Sequence, residues 1–322
     1  MCMLRKCATR DSAVMSLNLL PRSLAYVDAV AKNGSIQAAS RVLGISASAI
    51  DRQILLLEEA AHMRLFDRHS NGMTLTKAGE MLVVLARRWR NDGNALWSEM
   101  QQMQGVDLGQ VRIAIMDSQV NGMIPDFVGR VAAEFPLVQL DLEVMSPGDA
   151  VQALDQGIVD IALAFNAKPH RNIRALWSER LPLGCVVAPN HDLANEESVT
   201  LQQITEFPVV LQSQALSIRQ YLEADHEWLI HEGRQPVATN SLQLVKRLIA
   251  QGRHVALTSE LDVSAEIFEK RLVFIPIADE TAAAQSISLL VSAVRELPTV
   301  SQLIMDILSA CARETLSRVR QV

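Results

Sequence analysis

Between Gly34 and Gly79 the chain reads GSIQAASRVLGISASAIDRQILLLEEAAHMRLFDRHSNGMTLTKAG. Ahead of it, Ser23 to Lys32 reads as a helix with Leu24, Val27, Val30 and Ala31 on one side, ended by Asn33-Gly34. Ser35 caps the next helix, in which Ile36, Ala39 and Leu43 share a face. Gly44-Ile45 makes a tight turn and Ser46 caps a third helix, whose Ile50, Ile54, Leu57 and Ala61 point into a small core. The opposite face carries Ser48, Asp51, Arg52, Leu55 and Glu59, and its N-terminal part, with Ala47, is placed to reach base edges. From Arg64 to Thr76 polar and apolar residues alternate around Asn71-Gly72, a hairpin signal, with Arg68 and His69 where cations lie against phosphate. Two short helices, a turn and a basic hairpin are the parts of a winged unit that offers one helix to the major groove.

A long helix is expected from Thr76 to about Gln104, with Ala78, Met81, Leu82, Leu85, Trp89, Leu96, Met100 and Met103 on one stripe. No core of its own covers that stripe, so a second copy of the chain is the expected partner. Gly93 is a weak point in it, and Gly105 and Gly109 mark a hinge. Beyond the hinge, strands and helices alternate. VRIAIM (111–116), VQLDLEVM (138–145) and IVDIALAF (158–165) flank helices at Val120–Phe135 and Gly148–Gln156, an order that implies a parallel sheet. A second unit begins at LPLGCVVA (181–188). It takes in Phe207–Leu211, a helix at Ser217–Ile230, Val237–Thr239, a helix at Ser241–Gln251 and HVALT (254–258). LVFIPI (272–277) and SISLLVSAV (286–294) are read as returning to the first unit, before a last helix from Thr299 to about Arg318.

Charge divides along the same line. Residues 1–105 hold 13 Lys+Arg against 9 Asp+Glu, and the remainder 17 against 27, within a net charge of −6. A basic front half on an acidic back half suits one module that meets phosphate and one that does not. No run approaches a membrane span, and MCMLRKCATRDSAVM lacks the apolar centre of a signal peptide. Residues 1–16 are read as a disordered tail, with Met15 a natural start, and the cytoplasm as the expected compartment. Of the cysteines, Cys2, Cys7, Cys185 and Cys311 show no metal spacing; small buried thiols at 185 and 311 are the simpler reading and a redox pair the alternative. The chain shows no GxSxG, phosphate-loop glycine signature, HExxH or CxxC. Asp225, His226, Glu227 and His231 read as a solvated helix face, because the histidines are five apart rather than four. Catalysis is not expected, and neither a metal nor a cofactor.

Taken together, the Gly34-Ser35 helix start, LGIS (43–46), RQI (52–54), LEE (57–59), RLFDR (64–68) and LTKAG (75–79) resemble the LysR-type transcriptional regulators. Looser matches are EFP (134–136), IVDIALAF, HDLA (191–194) and RLVFIPI (271–277). The resemblance covers the chain from about residue 17. It implies a multidomain fold: an N-terminal all-α winged helix-turn-helix (17–75), then a long dimerising linker helix with its hinge (76–107). An α/β effector module (108–322) follows, built from two Rossmann-like subdomains as in type II periplasmic binding proteins, subdomain I at 111–180 and 275–322 and subdomain II at 181–274. It also implies double-stranded promoter DNA, a small polar or anionic effector, RNA polymerase and a homodimer or homotetramer as partners, with no membrane. A solute-binding protein without a DNA role would explain the back half but has no use for Gly34–Gly79.

In doubly wound sheets ligands sit beyond the carboxyl ends of strands, at helix N-termini. Those positions are Ser118 and Gln119, Ser146 and Pro147, and Phe165 and Asn166 from one subdomain. From the other come Gln212 and Ser213, Thr239 and Asn240, and Thr258. Asp117, Gln214, Ser241 and Ser259 adjoin them, and singly each reads equally as an ordinary helix cap. Arg253 and His254 in GRHVA (252–256) are either exposed loop residues or part of the cleft wall.

Three positions of the third helix depart from the resembled family. Where Gln and, one turn on, Ser are common after the capping Ser46, this chain has Ala47 and Asp51, with Ser48 in the place of a frequent Pro. Gln reads adenine through two bonds, whereas Ala offers a methyl contact and Asp accepts from cytosine N4. Restoring Gln at position 47 and Ser at position 51 is expected to change the motif recovered in a binding-site selection; an unchanged motif would show that these positions do not read bases.

Overall fold

The computed structural model describes residues 19–70, 72–104, 108–212, 234–279 and 284–321. The expected tail, the Gly105 hinge point, Asn71, Ser213, Gln214, the helix at Ser217–Ile230 and its Asp225/His226/Glu227/His231 face lie outside the described residues. The chain divides into two compact units, residues 1–104 and 105–322.

In the first unit α1 (Arg22–Asn33), α2 (Ile36–Leu43) and α3 (Ala47–Ala61) precede the hairpin β1 (Phe66–His69) and β2 (Gly72–Leu75), and α4 (Lys77–Gln102) follows. Gly34 ends α1 in the left-handed conformation, φ 72°, and its amide returns to the Val30 carbonyl at 2.9 Å. The Ser35 and Ser46 hydroxyls then accept from the amides of Ala38 and Ala49, satisfying otherwise orphaned N–H groups. Val27, Val30, Ala39, Ile50, Ile54 and Phe66 close a core within these short elements. Ala61, expected on the core face, is exposed, because α3 ends there and His62 turns the chain through φ 51°.

The hairpin is held from below. Glu58 Oε1 accepts from the amides of Leu65 (2.7 Å) and Phe66 (3.3 Å), so this carboxylate near the end of α3 fixes the start of β1. Thr76 donates to the Arg64 carbonyl at 2.7 Å while its oxygen accepts from the Gly79 amide at 3.1 Å, capping α4. The β1–β2 register pairs His69 with Gly72, so the turn falls at residues 70–71 and Gly72 already belongs to the return strand. A Cβ at Gly72 would stand 2.5 Å from the Gly34 carbonyl oxygen, which accepts from Met73 N at 2.8 Å. The wing is thus stitched to the turn between α1 and α2.

Along α4 the expected apolar stripe divides in two. Ala78 and Leu82 pack on the small core, whereas Met81, Leu85, Trp89, Leu96, Met100 and Met103 are exposed. The helix runs through Gly93 without a break. Asp28 of α1, buried, accepts from Arg87 Nε at 2.7 Å and Arg90 Nη1 at 2.5 Å, tying α1 to α4. Burial pushes the Asp28 carboxyl up, but bonding and charge from Arg90 and Arg87 outweigh it and hold the group below its ordinary value. That ion pair therefore stabilises the unit fully above the ordinary carboxyl range and is lost as pH falls through the lowered value.

The second unit opens with β3 (Gly109–Ile115), a short 3-10 turn at Asp117–Gln119, α5 (Met123–Glu134), β4 (Val138–Val144), α6 (Pro147–Asp155) and β5 (Ile161–Phe165). β4, β3 and β5 are parallel, as expected. The sheet then continues with β12 (Gln285–Ser292), which runs the other way, and β6 (Ile173–Leu181), antiparallel to β12 in turn, giving the order β4-β3-β5-β12-β6. β6 (Ile173–Leu181) escaped the sequence reading because its charged, mostly exposed residues show no apolar alternation, which is how an edge strand reads. β12 (Gln285–Ser292) enters from the other half, and α10 (Thr299–Val319) packs with α5 on the shared core.

A single residue, Pro182, separates β6 from β7 (Leu183–Val187) of the second half. There α7 (Leu201–Thr205), β8 (Pro208–Gln212), β9 (Arg234–Thr239), α8 (Leu242–Ile249), β10 (Ala256–Ser259), α9 (Ser264–Phe268) and β11 (Val273–Pro276) follow. β7 lies between β10 and β11, antiparallel to both, while β8 and β9 are parallel. The expected return to the first half at residue 275 is corrected: β11 pairs with β7 through Pro276, and Ile277 still bridges Val199. Only β12 returns.

A Cβ at Gly79 would lie 2.0 Å from the Leu65 carbonyl oxygen, which itself accepts from Thr76 N at 3.0 Å. Because that obstacle is backbone, Gly79→Ala must pry α4 from the hairpin. It is expected to destabilise the first unit by about 3 kcal/mol in urea unfolding, while Gly129→Ala, at an open helical position, is expected to be neutral or slightly stabilising.

Candidate functional site

Of the residues expected to face DNA, Ser48 and Arg52 stand exposed on α3, and Arg52 has no ionic partner among the described residues. Arg52 borders a surface hollow with Ser48, Gln53 and Leu56 on α3 and Arg22 and Tyr26 on α1. Arg22 was not singled out in the sequence; its signal was a cation at the first turn after Pro21. Ser35 and Ser46 act as helix caps, and Ser46 also accepts from the Ser48 hydroxyl at 3.3 Å. Ala47 is half-buried against the core. His69 shares a 3.1 Å hydrogen bond with Thr74 across the hairpin. Asp51 and Arg68, expected to act separately, are joined: Arg68 Nη2 donates to Asp51 Oδ1 at 2.7 Å, linking α3 to the wing.

In the second unit a cavity of about 340 Å³ opens between the two halves. Ser118, Ser146, Pro147, Phe165, Gln212 and Asn240 line it, six of the expected residues brought together from both halves. Gln119, Asn166, Thr239 and Thr258 are not in its wall and support it instead. Gln119, buried, accepts from Met116 N at 3.1 Å and donates to Leu163 O at 3.4 Å, fixing the loop after β3. Asn166 takes a left-handed φ of 46° and accepts from Ser286 N at 2.8 Å. Thr239 accepts from Ser241 N at 3.1 Å. Thr258 donates at 2.6 Å to Asp262 Oδ2, which also accepts from the Ser259 hydroxyl (2.8 Å) and amide (3.2 Å). Arg253 and His254 are not among the cavity-lining residues.

Other lining residues were missed. Met116, Val144, Met145 and Leu242 supply apolar surface, and Asp149, Asp262 and Gln285 supply polar groups. Gln285 opens a strand whose pairing with β5 could not be read from the sequence, and Asp149 takes part in the α6 cap, where Ser146 accepts from its amide at 3.2 Å. Asp117 reaches across the cleft. Its Oδ2 accepts from Leu242 N at 2.7 Å, at the N-terminus of α8, and its carbonyl accepts from Gln243 Nε2 at 2.9 Å. Asn121 donates to Gln243 Oε1 beside it. Ser118 Oγ and Gln285 Nε2, both on buried side chains, have no partner among the described residues.

The two described cysteines sit in different cores, Cys185 on β7 and Cys311 on α10. Burial pushes the Cys185 thiol up to about 12 and raises that of Cys311, so both remain protonated thiols. No group of His, Cys, Asp and Glu suited to a metal occurs among the described residues, and no described helix is long and apolar enough to cross a membrane.

Comparison with known proteins decides the family. Residues 104–312 match the LysR substrate binding domain, and residues 21–80 match the bacterial regulatory helix-turn-helix protein, lysR family. The chain belongs to the LysR family. It is 26% identical over 257 residues to the RuBisCO operon transcriptional regulator of Allochromatium vinosum, covering 78% of this chain and 83% of that one. An uncharacterized HTH-type transcriptional regulator of Escherichia coli (strain K12), YdcI, is 28% identical over 217 residues, 66% of this chain and 70% of that one. Among solved structures, full-length CbnR complexed with target DNA superposes with a TM-score of 0.58 at 18% identity, covering 91% of this chain and 99% of that one. The LysR chain described here is accordingly a DNA-binding transcriptional regulator with an effector-binding domain, and its relatives are named as regulators rather than enzymes.

The Asp51–Arg68 pair has a measurable consequence for a LysR regulator. An arginine engaged by a carboxylate on the recognition helix is less available to phosphate. Asp51→Ala is expected to raise affinity for DNA of any sequence and to steepen the log–log salt dependence by about one charge, measured by fluorescence anisotropy between low and physiological salt. An unchanged slope would show that Arg68 is not held back.

Proposed function

We propose that this LysR regulator binds promoter DNA sequence-specifically as a homodimer or homotetramer in the cytoplasm, and that a small polar effector held between the two halves of residues 108–322 modulates that binding. The recognition helix α3 reads bases through Ser48 and Arg52, with Ala47 and Asp51 shaping the preference and Arg68 and His69 of the wing facing phosphate. The exposed Met81, Leu85, Trp89, Leu96 and Met100 of α4 support self-association, since one helix cannot bury such a stripe by itself. RNA polymerase is the remaining partner of the reading, through the regulation of a promoter.

The observation that carries the effector reading is the cleft itself. Apolar surface, unpartnered buried polar groups on Ser118 and Gln285, and a carboxylate of one half capping a helix of the other converge on one cavity. A molecule that fits there touches both halves, and a ligand that favours one arrangement of them shifts the population toward it. Of the polar and anionic alternatives, the lining favours the polar one: Asp117, Asp149 and Asp262 border the cavity, and no Lys, Arg or His does among the described residues.

Electrophoretic mobility shift on the chain's own upstream region tests both parts. Arg52→Ala is expected to weaken binding about tenfold or more. Asp117→Asn, which weakens the contact with α8, is expected to change the affinity or the footprint length on that DNA without altering the fold of residues 19–104. Absence of salt-sensitive binding by the full chain would overturn the DNA reading, and an unchanged Asp117→Asn footprint would overturn the coupling.

A further inference from the structure

The cleft also says what charge its ligand carries. Helix N-termini draw anions because their first amides lack partners, yet both helices that begin at this cavity are already supplied with oxygens. On α8, Leu242 N donates to Asp117 Oδ2 at 2.7 Å and Leu244 N to Ser241 Oγ at 3.4 Å. On α6 the first residue is Pro147, which has no amide hydrogen, and Asp149 N donates to Ser146 Oγ at 3.2 Å. A carboxylate ligand would find the Leu242, Leu244 and Asp149 amides taken and would face Asp117, Asp149 and Asp262 across the same cavity.

The unpartnered groups ask for something else. Gln285 Nε2 can only donate, so a ligand must bring it an acceptor; Ser118 Oγ can donate or accept. Their side chains are 2% and 7% exposed and both line the cavity, so the missing partner must come from within it. Asp149 is the exposed carboxylate of the three, and among the described residues its side chain accepts only from the Ser146 hydroxyl at 2.6 Å. Met116, Met145, Phe165 and Leu242 supply apolar surface to the same cavity.

Resting on the reading of this cleft as the effector site, we infer that the effector is an amine-bearing compound without net negative charge. Its ammonium group faces Asp149, an oxygen acceptor faces Gln285 and Ser118, and an aliphatic body of a few carbons lies on the apolar wall. The Asp117 carboxylate takes the place that an acidic ligand would otherwise occupy at α8.

A matched series tests this on the full chain by isothermal titration calorimetry: 4-aminobutanamide, 4-aminobutyrate and succinate, which keep length and change charge. The amide is expected to bind about tenfold or more tighter than succinate, with 4-aminobutyrate between them. Asp149→Asn is expected to reduce that preference to about threefold or less. Val144→Trp, at a rim position 55% exposed and so tolerant of a larger side chain, is expected to abolish binding of the series. Succinate binding as tightly as the amide and blocked by Val144→Trp would overturn the charge inference and leave the cleft reading standing. Binding that Val144→Trp leaves intact would overturn the cleft reading itself. Absence of binding by all three overturns the inference, as does a preference that Asp149→Asn does not alter.

Discussion

The first unit depends on how closely α4 approaches the Leu65 carbonyl. With no side chain at Gly79, the helix starts against the strand that leads into the wing, and Thr76 bonds to both neighbours of that junction. Glu58 reaches the same peptide run from the end of α3. Recognition helix, wing and long helix therefore meet at one stretch of backbone, held by the Glu58 and Thr76 side chains. Asp28, paired with Arg87 and Arg90, ties α1 to the same long helix. Removing one partner from such a buried pair leaves an uncompensated charge, which costs about 3 kcal/mol or more. A DNA-binding surface has to be rigid to discriminate bases, and here rigidity comes from a few short contacts made by small or acidic residues.

In the second unit the balance of charge is organised differently. Asp262 is held by three hydrogen bonds from Thr258 and Ser259, and Asp117 is bonded into the start of α8. These carboxylates are built into the wall. A cavity lined in this way has a negative electrostatic character fixed by the fold, because water would be displaced from it sooner than the bonded carboxylates would turn away.

Much of this was legible in the sequence because the local signals were strong. Ser35 and Ser46 are caps where their position predicted, and Ile50 and Ile54 are fully buried at helical spacing. The cleft residues Ser118, Ser146 and Phe165 follow strands that could be recognised from their apolar runs. What escaped depended on pairing across the chain. β6 gave no apolar signal, since an edge strand needs little apolar surface. β11 was assigned to the wrong half, because Leu272–Ile277 is as apolar as a strand of either sheet and only its partner β7 decides. Gln285 entered the site for the same reason. Asp51 and Arg68 were each read against an absent nucleic acid, and spacing of 17 residues gave no hint that they meet each other.

Pro182 marks the crossing between the two halves of the second unit. It stands alone between β6 and β7 and carries no amide hydrogen, so neither sheet's ladder can be zipped through it into the other. Strand pairing therefore stops at this crossing, and a change of angle between the halves here would leave each sheet's own ladder whole, with the Asp117 contacts to α8 as the bonds it strains.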